Sequence, residues 1–523
     1  MAKVLFVNPV VREEDDPRHV PYGIALLAAI AVQNGHQVQI YDANAWRASD
    51  AVLRQVLAAD RWDVVAVGGI TTAYAGIKHI VRTAKEVAPD ALVVLGGGVL
   101  TSMPHDMMRF LPWVDVGVVG EAFVSFTEVL RQVDGGRPDW AAVKGLVWRD
   151  PSGASRLNPA QPLLEDIDTL PYPAWELFPL DIYFKNSMAL FSEEGMLSRR
   201  RLDINASYGC SLICRFCFHL GISGDMTIEE SAAGERDVKF TYDRQIRYHD
   251  PRYVVNLVKH ARDRFGVDFV AFLDENLMTM HQYSGKRWLT DIARLWIEEG
   301  LQPQCVRDGV PHDPAKCSGV HWGGTSHATL VSRELLTTLK HSGCSHLLYG
   351  YESFSARVMK TVGKGATPET NERSLRWTVE AGIRPIPNQM FGFPEDDFDS
   401  IYDNIKAWER LGLQVRPFFV TPYPGTEWYY TYKPQILAQY GGDLEAFILD
   451  LGDATRVTAV ISKKFNAVEL YGLRELMVLR DVKNIQRFEA EWNRLHANDP
   501  APAPPPGRSL AFAKTRARGD RTP

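Results

Sequence analysis

The run Ser207-Tyr-Gly-Cys-Ser-Leu-Ile-Cys-Arg-Phe-Cys-Phe218 puts Cys210, Cys214 and Cys217 in one short segment, spaced Cys-x3-Cys-x2-Cys. Three thiolates this close in sequence can converge on a single inorganic centre. An iron–sulfur cluster normally takes four protein ligands. No fourth cysteine lies nearby, which leaves one iron open to an outside ligand. The competing reading is a structural zinc site with His219 as fourth ligand. Zinc sites usually pair ligands as Cys-x2–4-Cys and repeat the pair far away, and that second pair is missing.

Outward from this loop the chain alternates strands and helices. Arg201–Ser207 is a strand that delivers the chain into the cysteines. Val267–Leu273 is the next, and it ends in Asp274-Glu275-Asn276. Carboxylates at such a strand end stand where (β/α) barrels do their chemistry. His321–His327 reads as a third strand, followed by a helix Arg333–His341 with Leu335, Leu336 and Leu339 on one face. Strands at His346–Ser353, Arg384–Pro394 and Val415–Thr426 complete the series. Glu352, at a strand end, can accept hydrogen bonds from sugar hydroxyls or pair with a cation. The alternative is a helix-capping carboxylate, since Ser353 could itself cap the next helix.

The N-terminal part alternates in the same way. Val4–Val7, Gln37–Tyr41, Asp63–Ile70, Leu92–Leu95 and Val116–Val119 are short apolar strands. Helices at Gly23–Gln33 and near Gly76–Val87 separate them. This pattern predicts a parallel sheet covered on both faces. Ligands of such sheets bind at the carboxyl ends of the strands. The fourth strand ends in Gly96-Gly97-Gly98 and the fifth in Gly120-Glu121. Glycines there let a backbone approach a bulky ligand closely, so nucleotide and flavin binding are open readings. Neither a G-x-G-x-x-G motif nor a P-loop is present.

With 523 residues the chain has room for two to four domains. Its 45% hydrophobic and 23% charged content is ordinary for soluble globular protein. A formal net charge of −6 gives no electrostatic case for nucleic acid. No apolar run reaches membrane-spanning length. The start, Met1 to Pro9, reads directly as a strand and lacks a signal-peptide pattern. A clustered cysteine trio in such a chain points to metal chemistry in a reducing cytoplasm. Cys305, Cys317 and Cys344 are scattered and read as ordinary residues, with a role beside substrate left open.

Between the two halves, Gly135–Pro138 and Asp150–Gly153 are turn-rich, and Val147-Trp148 suggests a small hairpin. The prolines of Ile167–Pro179 forbid a regular helix there. Gly221–Asp250 is charged and irregular, and residues 297–320 look like an insertion. Both are substrate-recognition candidates by position. Asp443–Leu451 and Val468–Ala497 read as amphipathic helices that could close the open side of the barrel. From Asn498 the composition turns to Ala-Pro and then to Arg and Lys, as in a disordered tail.

The cysteine spacing, with Phe216 just before the third cysteine, resembles the signature of the radical S-adenosylmethionine (radical SAM) enzymes. The strand ends Gly350-Tyr-Glu-Ser353, Gly392-Phe-Pro394 and Pro422-Tyr-Pro-Gly-Thr426 resemble later motifs of that family. The resemblance implies a [4Fe-4S] cluster on Cys210, Cys214 and Cys217. It also implies S-adenosyl-L-methionine on the open iron, near Phe216, Gly350, Glu352, Ser353 and Gly392. Reduction would split that molecule into methionine and a 5′-deoxyadenosyl radical. The N-terminal layout resembles the cobalamin-binding domain that precedes the cluster in class B radical SAM methylases. Leu170-Pro-Tyr-Pro-Ala-Trp175 resembles the bridge between the two. Cobalamin would then lie against Thr71, Thr72, Gly96, Gly97, Gly98, Gly120 and Glu121.

One departure concerns the cobalt. Methionine-synthase-like domains supply a histidine from an Asp-x-His-x-x-Gly loop. This chain reads Asp16-Pro-Arg-His-Val-Pro-Tyr-Gly23, so His19 has its local Asp and Gly each out of register by one. The alternative for His19 is a surface loop histidine.

The expected fold is α/β, a Rossmann-like cobalamin-binding sheet followed by a partial (β/α)6 radical SAM barrel and a helical C-terminal region. The expected bounds are 1–135, linker 136–200, barrel 201–430, helices 431–497 and tail 498–523. The function implied is methylation of an unactivated carbon, less often phosphorus, of a metabolite through the deoxyadenosyl radical and methylcobalamin. The alternative is a cobalamin-dependent cyclase or ring-rearranging enzyme of tetrapyrrole or natural-product biosynthesis. Implied partners are a small-molecule substrate and an external electron donor of flavodoxin or ferredoxin type.

Overall fold

The computed structural model describes residues 1–186, 193–217, 226–240 and 245–497. His219 and the expected tail from 498 lie outside them. The first sheet has seven strands: β1 (Lys3–Asn8), β2 (Gln37–Asp42), β3 (Val64–Gly68), β4 (Leu92–Gly96), β5 (Val116–Val118), β6 (Leu146–Arg149) and β7 (Ser155–Leu157). Their order is β2-β1-β3-β4-β5-β6-β7. The first five are parallel. Alternation along β1 explains the two covered faces. Val4 and Phe6 join one core with the helices Tyr22–Gln33 and Ala122–Asp134. Leu5 and Val7 join another with Asp50–Ala58 and Tyr74–Val87. The order reverses between β1 and β3, so the crevice at their carboxyl ends is the topological switch point.

Three expectations change here. The hairpin near Trp148, read as part of the linker, is β6–β7, and it extends the first sheet antiparallel to β5. Gly117 on β5 leaves room for it, because a Cβ there would lie 2.6 Å from Val147. Part of the stretch read as irregular after the cysteines forms a hairpin of β10 (Met226–Glu230) and β11 (Arg236–Phe240). It packs beside the first sheet, where Arg236 O faces His105 Nε2 at 2.7 Å. The long C-terminal helix expected over Val468–Ala497 is two helices, Ala467–Leu479 and Val482–Leu495. Arg480, at φ 56°, breaks it in a left-handed cap.

The second sheet is open and all parallel. Its strands are β8 (Arg201–Ile204), β13 (Phe269–Phe272), β14 (His321–Ser326), β15 (Cys344–Glu352), β16 (Arg384–Phe391) and β17 (Phe418–Phe419), in the order β17-β16-β15-β14-β13-β8. A two-residue pairing of β9 (Ser207–Tyr208) with β12 (Arg247–Tyr248) sits beyond the end of β8. The C-terminal helices cover the β16 side, where Leu470, Leu473 and Met477 enter the core with Phe391 and Phe465. No helix among the described residues is long and apolar enough to cross a membrane.

Asp274 ties β13 to the strand that feeds the cysteines. Its carboxylate accepts from Ala206 N at 3.1 Å and from the Ser207 hydroxyl. Burial pushes this carboxyl up to about 7, against the pull of those bonds. A raised folded value favours the protonated state on folding. That contribution is complete below the unfolded value near pH 4 and is lost as the pH rises to about 7. We therefore expect the stability of wild type relative to Asp274→Asn to fall by up to about 1.4 kcal/mol per pH unit between those limits. It should level off above them. Melting temperatures of both proteins across pH 4.5–8 check this, and parallel profiles would contradict it.

Candidate active site

The cysteine loop has no helix or strand of its own from Gly209 to Cys217, so its shape comes from outside contacts. Arg215 supplies most of them. Its N–H donates to Val362 O at 3.2 Å, its carbonyl accepts from Trp428 N at 3.2 Å, and its Nε donates to Glu427 Oε1 at 2.8 Å. Phe216 packs on Trp428, ring centroids 5.9 Å apart. Both partners begin the helix Glu427–Gln439, which Thr426 caps through Tyr429 N. Within the loop, Cys217 N donates to Cys214 O at 3.2 Å.

Cys210 is buried, while Cys214 and Cys217 are half-buried. Asn276 and Thr279 approach Cys210 Sγ at 4.0 and 3.9 Å. Burial pushes the Cys214 thiol up, and its neighbouring thiols add to this. Lys364 works the other way. A metal centre that takes a thiolate must displace that proton.

The carboxyl end of β15 carries a buried ion pair. Lys364 Nζ lies 2.6 Å from Glu352 Oε1 and donates to Gly350 O at 2.5 Å. Burial alone would lower Lys364, but the Glu352 carboxylate and the nearby cluster thiols outweigh it and hold the ammonium above its ordinary range. A Cβ on Gly350 would lie 2.3 Å from both Lys364 Nζ and Glu352 Oε1. Any side chain there would push the two charged groups out of their present positions. Glu352 adopts φ 58°, a left-handed conformation that costs a side-chain-bearing residue about 1–2 kcal/mol. Among the described residues its carboxylate caps no helix; the next one, Ala356–Val362, starts from Ser355. The neighbouring His327, at the end of β14, is pushed down to about 3 by burial and by Lys364. Its Nδ1 lies 2.8 Å from Thr329 Oγ1, and its buried Nε2 has no hydrogen-bond partner among the described residues.

The other residues expected around S-adenosylmethionine are engaged by the protein. Ser353 Oγ accepts from Asn404 Nδ2 at 3.1 Å and from Ser355 N at 3.1 Å. Gly392, at φ 98°, donates its N–H to the buried Asp396 at 2.8 Å, and Leu470 lies over it.

Loops at the carboxyl end of the first sheet are fastened to the barrel side. Tyr430 donates to Ser102 O, Arg12 pairs with Asp453, and Tyr74 and Lys78 both reach Glu445 Oε1 at 2.5 Å. Thr71 Oγ1 and Thr72 Oγ1 are buried with no hydrogen-bond partner among the described residues, and so is Asn205 Oδ1 on the barrel side. Ile70 and Leu273 are exposed at the ends of β3 and β13. Unsatisfied polar atoms beside exposed apolar ones fit a large amphipathic ligand such as a corrin. Gly97, at φ 94°, could carry no Cβ, which would lie 2.4 Å from Gly69 O, while Gly96 faces open space. Gly98 opens the short helix Gly98–Ser102, and Gly120 N donates to Thr101 Oγ1 at 3.0 Å. Glu121 is committed elsewhere, to Leu164 N at 2.7 Å and to Arg247 at 2.8 Å.

His19 finds its carboxylate far away in sequence. Its Nδ1 lies 2.5 Å from Oδ2 of the buried Asp203 on β8, which Arg201 holds from the other side at 2.9 Å. The carboxylate beside His19 is thus Asp203 of the barrel, not the out-of-register Asp16.

Two family models match. The B12 binding domain covers residues 9–130 and the radical SAM superfamily covers residues 204–407. The chain belongs to the cobalamin-dependent radical SAM enzymes. Its cofactors are cobalamin, a [4Fe-4S] cluster and S-adenosylmethionine. An uncharacterized methyltransferase of Pyrococcus horikoshii is 24% identical over 419 residues, 80% of this chain and 79% of that one. An anaerobic magnesium-protoporphyrin IX monomethyl ester cyclase of Rubrivivax gelatinosus is 26% identical over 412 residues, 77% and 65% of the two chains. A cytidylyl-2-hydroxyethylphosphonate methyltransferase of Streptomyces wedmorensis is 23% identical over 474 residues, 81% and 80%. Among solved structures, the methyltransferase TsrM from Kitasatospora setae, with cobalamin and [4Fe-4S] cluster bound, superposes with a TM-score of 0.58. It is 18% identical and covers 80% of this chain and 75% of its own, a likeness of fold.

Lys364 is the site residue that sequence reading passes over. It stands between two glycines of positive φ, Gly363 and Gly365, in Gly-Lys-Gly, and that local pattern is its one signal. Removing the cation strands a buried carboxylate beside the cluster loop, at a cost of about 3 kcal/mol. We expect Lys364→Met to lower the melting temperature and to weaken S-adenosylmethionine binding by about tenfold, the equivalent of one charge-assisted hydrogen bond. Equilibrium binding to the reconstituted protein measures it, and unchanged affinity would remove Lys364 from the site.

Proposed function

We propose that the enzyme methylates an unactivated carbon of a small or medium-sized metabolite. The observation that carries this is the placement of the cysteine loop and the Lys364–Glu352 pair at one strand-end face of the barrel, opposite the fastened loops of the first sheet. The two methyltransferase relatives align over 79% and 80% of their own lengths, against 65% for the cyclase, which supports the reading.

When bound, the cluster supplies the electron that cleaves S-adenosylmethionine and cobalamin supplies a carrier for the methyl group. Cys210, Cys214 and Cys217 would hold the cluster, with Asn276 and Thr279 turned toward the first sulfur. Glu352 would accept from a ribose hydroxyl, with Lys364 fixing its carboxylate in place. Thr71, Thr72 and Gly96 would border the corrin and its tail. The fastenings through Glu445, Asp453 and Tyr430 would keep the two faces in register and exclude water. Such positioning of several reactants is the largest contribution a protein can make to this chemistry. An external flavodoxin- or ferredoxin-type protein would deliver the electrons.

The second reading, a cyclase or ring-rearranging activity, is favoured by the Rubrivivax gelatinosus relative. One experiment separates the two. The reconstituted enzyme is incubated with methyl-labelled S-adenosylmethionine, a reductant and a candidate substrate, without oxygen. Labelled product with both S-adenosylhomocysteine and 5′-deoxyadenosine is the expected result. An unlabelled, cyclised or rearranged product without S-adenosylhomocysteine would overturn it. Cys214→Ala should abolish 5′-deoxyadenosine formation, because a cluster with three protein ligands has no spare thiolate.

A further inference from the structure

Cys305 and Cys317, read from the sequence as ordinary scattered residues, come together in space. With His312 and His321 they form a group whose four ligand atoms all lie within 4.8 Å of one another. Cys305 Sγ is 3.3 Å from His321 Nε2 and 3.5 Å from His312 Nδ1, and 2.8 Å from Cys317 Sγ. The two imidazole planes stand at 85°, centroids 4.7 Å apart, so the rings converge on the sulfurs from different directions. Cys305 and His321 are buried, while His312 and Cys317 are half-buried.

We propose that these four side chains bind one structural zinc ion, separate from the cluster. Two sulfurs and two imidazole nitrogens in tetrahedral reach of one point are the donor set that favours zinc. All four positions are filled by protein, as in structural rather than catalytic zinc sites. A two-iron, two-histidine cluster would hold its sulfurs and nitrogens on opposite irons, farther apart than these atoms stand. The Sγ–Sγ distance exceeds a disulfide bond of about 2.05 Å. It is shorter than the about 3.8 Å between two thiolates on a tetrahedral zinc with bonds of about 2.3 Å. Zinc binding therefore moves the sulfurs apart by about 1 Å. Cys317, half-buried on its loop, is free enough to make that move.

The location says what the ion does. Cys305 lies on the short helix Gln304–Asp308, His312 and Cys317 on the loop that follows, and His321 opens β14. That loop has no strand or helix from Gly309 to Val320. Gln304 N bonds Ser318 O at 2.9 Å, and Gly319, at φ 98°, is pressed so close to Gln302 O that a Cβ would lie 2.6 Å away. The loop is thus folded back with its ligands already gathered. The site is at the amino end of β14, whereas His327 and the cluster are at carboxyl ends. In barrels the amino end serves stability and the carboxyl end chemistry. The 297–320 segment, expected beside substrate, belongs to the base of the barrel.

Metal analysis of the full-length protein, grown with zinc and purified without oxygen, tests the proposal. About one zinc per chain is expected beside the cluster iron. A Cys210→Ala/Cys214→Ala/Cys217→Ala variant should lose iron and keep zinc, and Cys317→Ser should lose zinc and keep the cluster absorption. Should Cys317→Ser not fold, cobalt(II) exchanged into the cluster-free triple variant should give the intense visible bands of tetrahedral sulfur–nitrogen ligation. Zinc absent from wild type, zinc lost with the triple variant, or a Cys305–Cys317 disulfide detected by mass spectrometry would each overturn it.

Discussion

A loop that presents three thiolates to a metal centre must be held still, yet its backbone is too short and too crowded with ligands to form regular structure. Here the burden falls on Arg215 and Phe216, the two residues between the second and third cysteines. Arg215 uses its N–H, its carbonyl and its guanidinium, and Phe216 uses its ring, all on Val362 and on the first turn of the helix after β17. The first and last strands of the barrel are thereby joined through the loop. That helix turn exists because Thr426 caps it, so the Pro-Gly-Thr segment at the end of the barrel is coupled to cysteines about 200 residues earlier.

The charge beside this loop follows a related logic. Burying Lys364 and Glu352 together is expensive, and the return on such a pair is specificity of arrangement more than stability. The pair aligns a left-handed glutamate, a glycine carbonyl and a cation at one strand end. Lys364 also offsets part of the negative charge that thiolates bring to the loop. Burial, with the field of Lys364 added, keeps His327 neutral, so the imidazole there is a hydrogen-bonding group and not a second cation.

Periodicity and local spacing made the two sheets, the cysteine trio and the glycine-rich strand ends legible in the sequence. What escaped shares one property: its partners are distant and its spacing is not periodic. Lys364 meets its glutamate twelve positions away, on the far side of the helix Ala356–Val362, a spacing that no motif predicts. His19 meets Asp203 across 184 residues, so the neighbouring Asp16 was the wrong carboxylate to inspect. Cys305, His312, Cys317 and His321 alternate in type with unequal gaps, unlike the paired spacing by which zinc ligands are usually noticed. Glu121 was misleading in the opposite sense. Its Gly-Glu motif stands at a ligand-binding strand end, yet its carboxylate serves Arg247 and the Leu164 amide.

The fastening of Tyr74 and Lys78 to Glu445 spans 371 and 367 positions in the chain. Its consequence concerns biosynthesis. A domain made early in translation can often fold as soon as it leaves the ribosome, and the first sheet has the local βα units to do so. The crevice at its strand ends, however, gains its far wall only from residues translated after most of the chain is complete. A bulky prosthetic group captured by the nascent first domain would sit on an open shelf. The finished pocket therefore needs residues from both ends of the chain, and any dissociation of these fastenings would turn it back into the same open shelf.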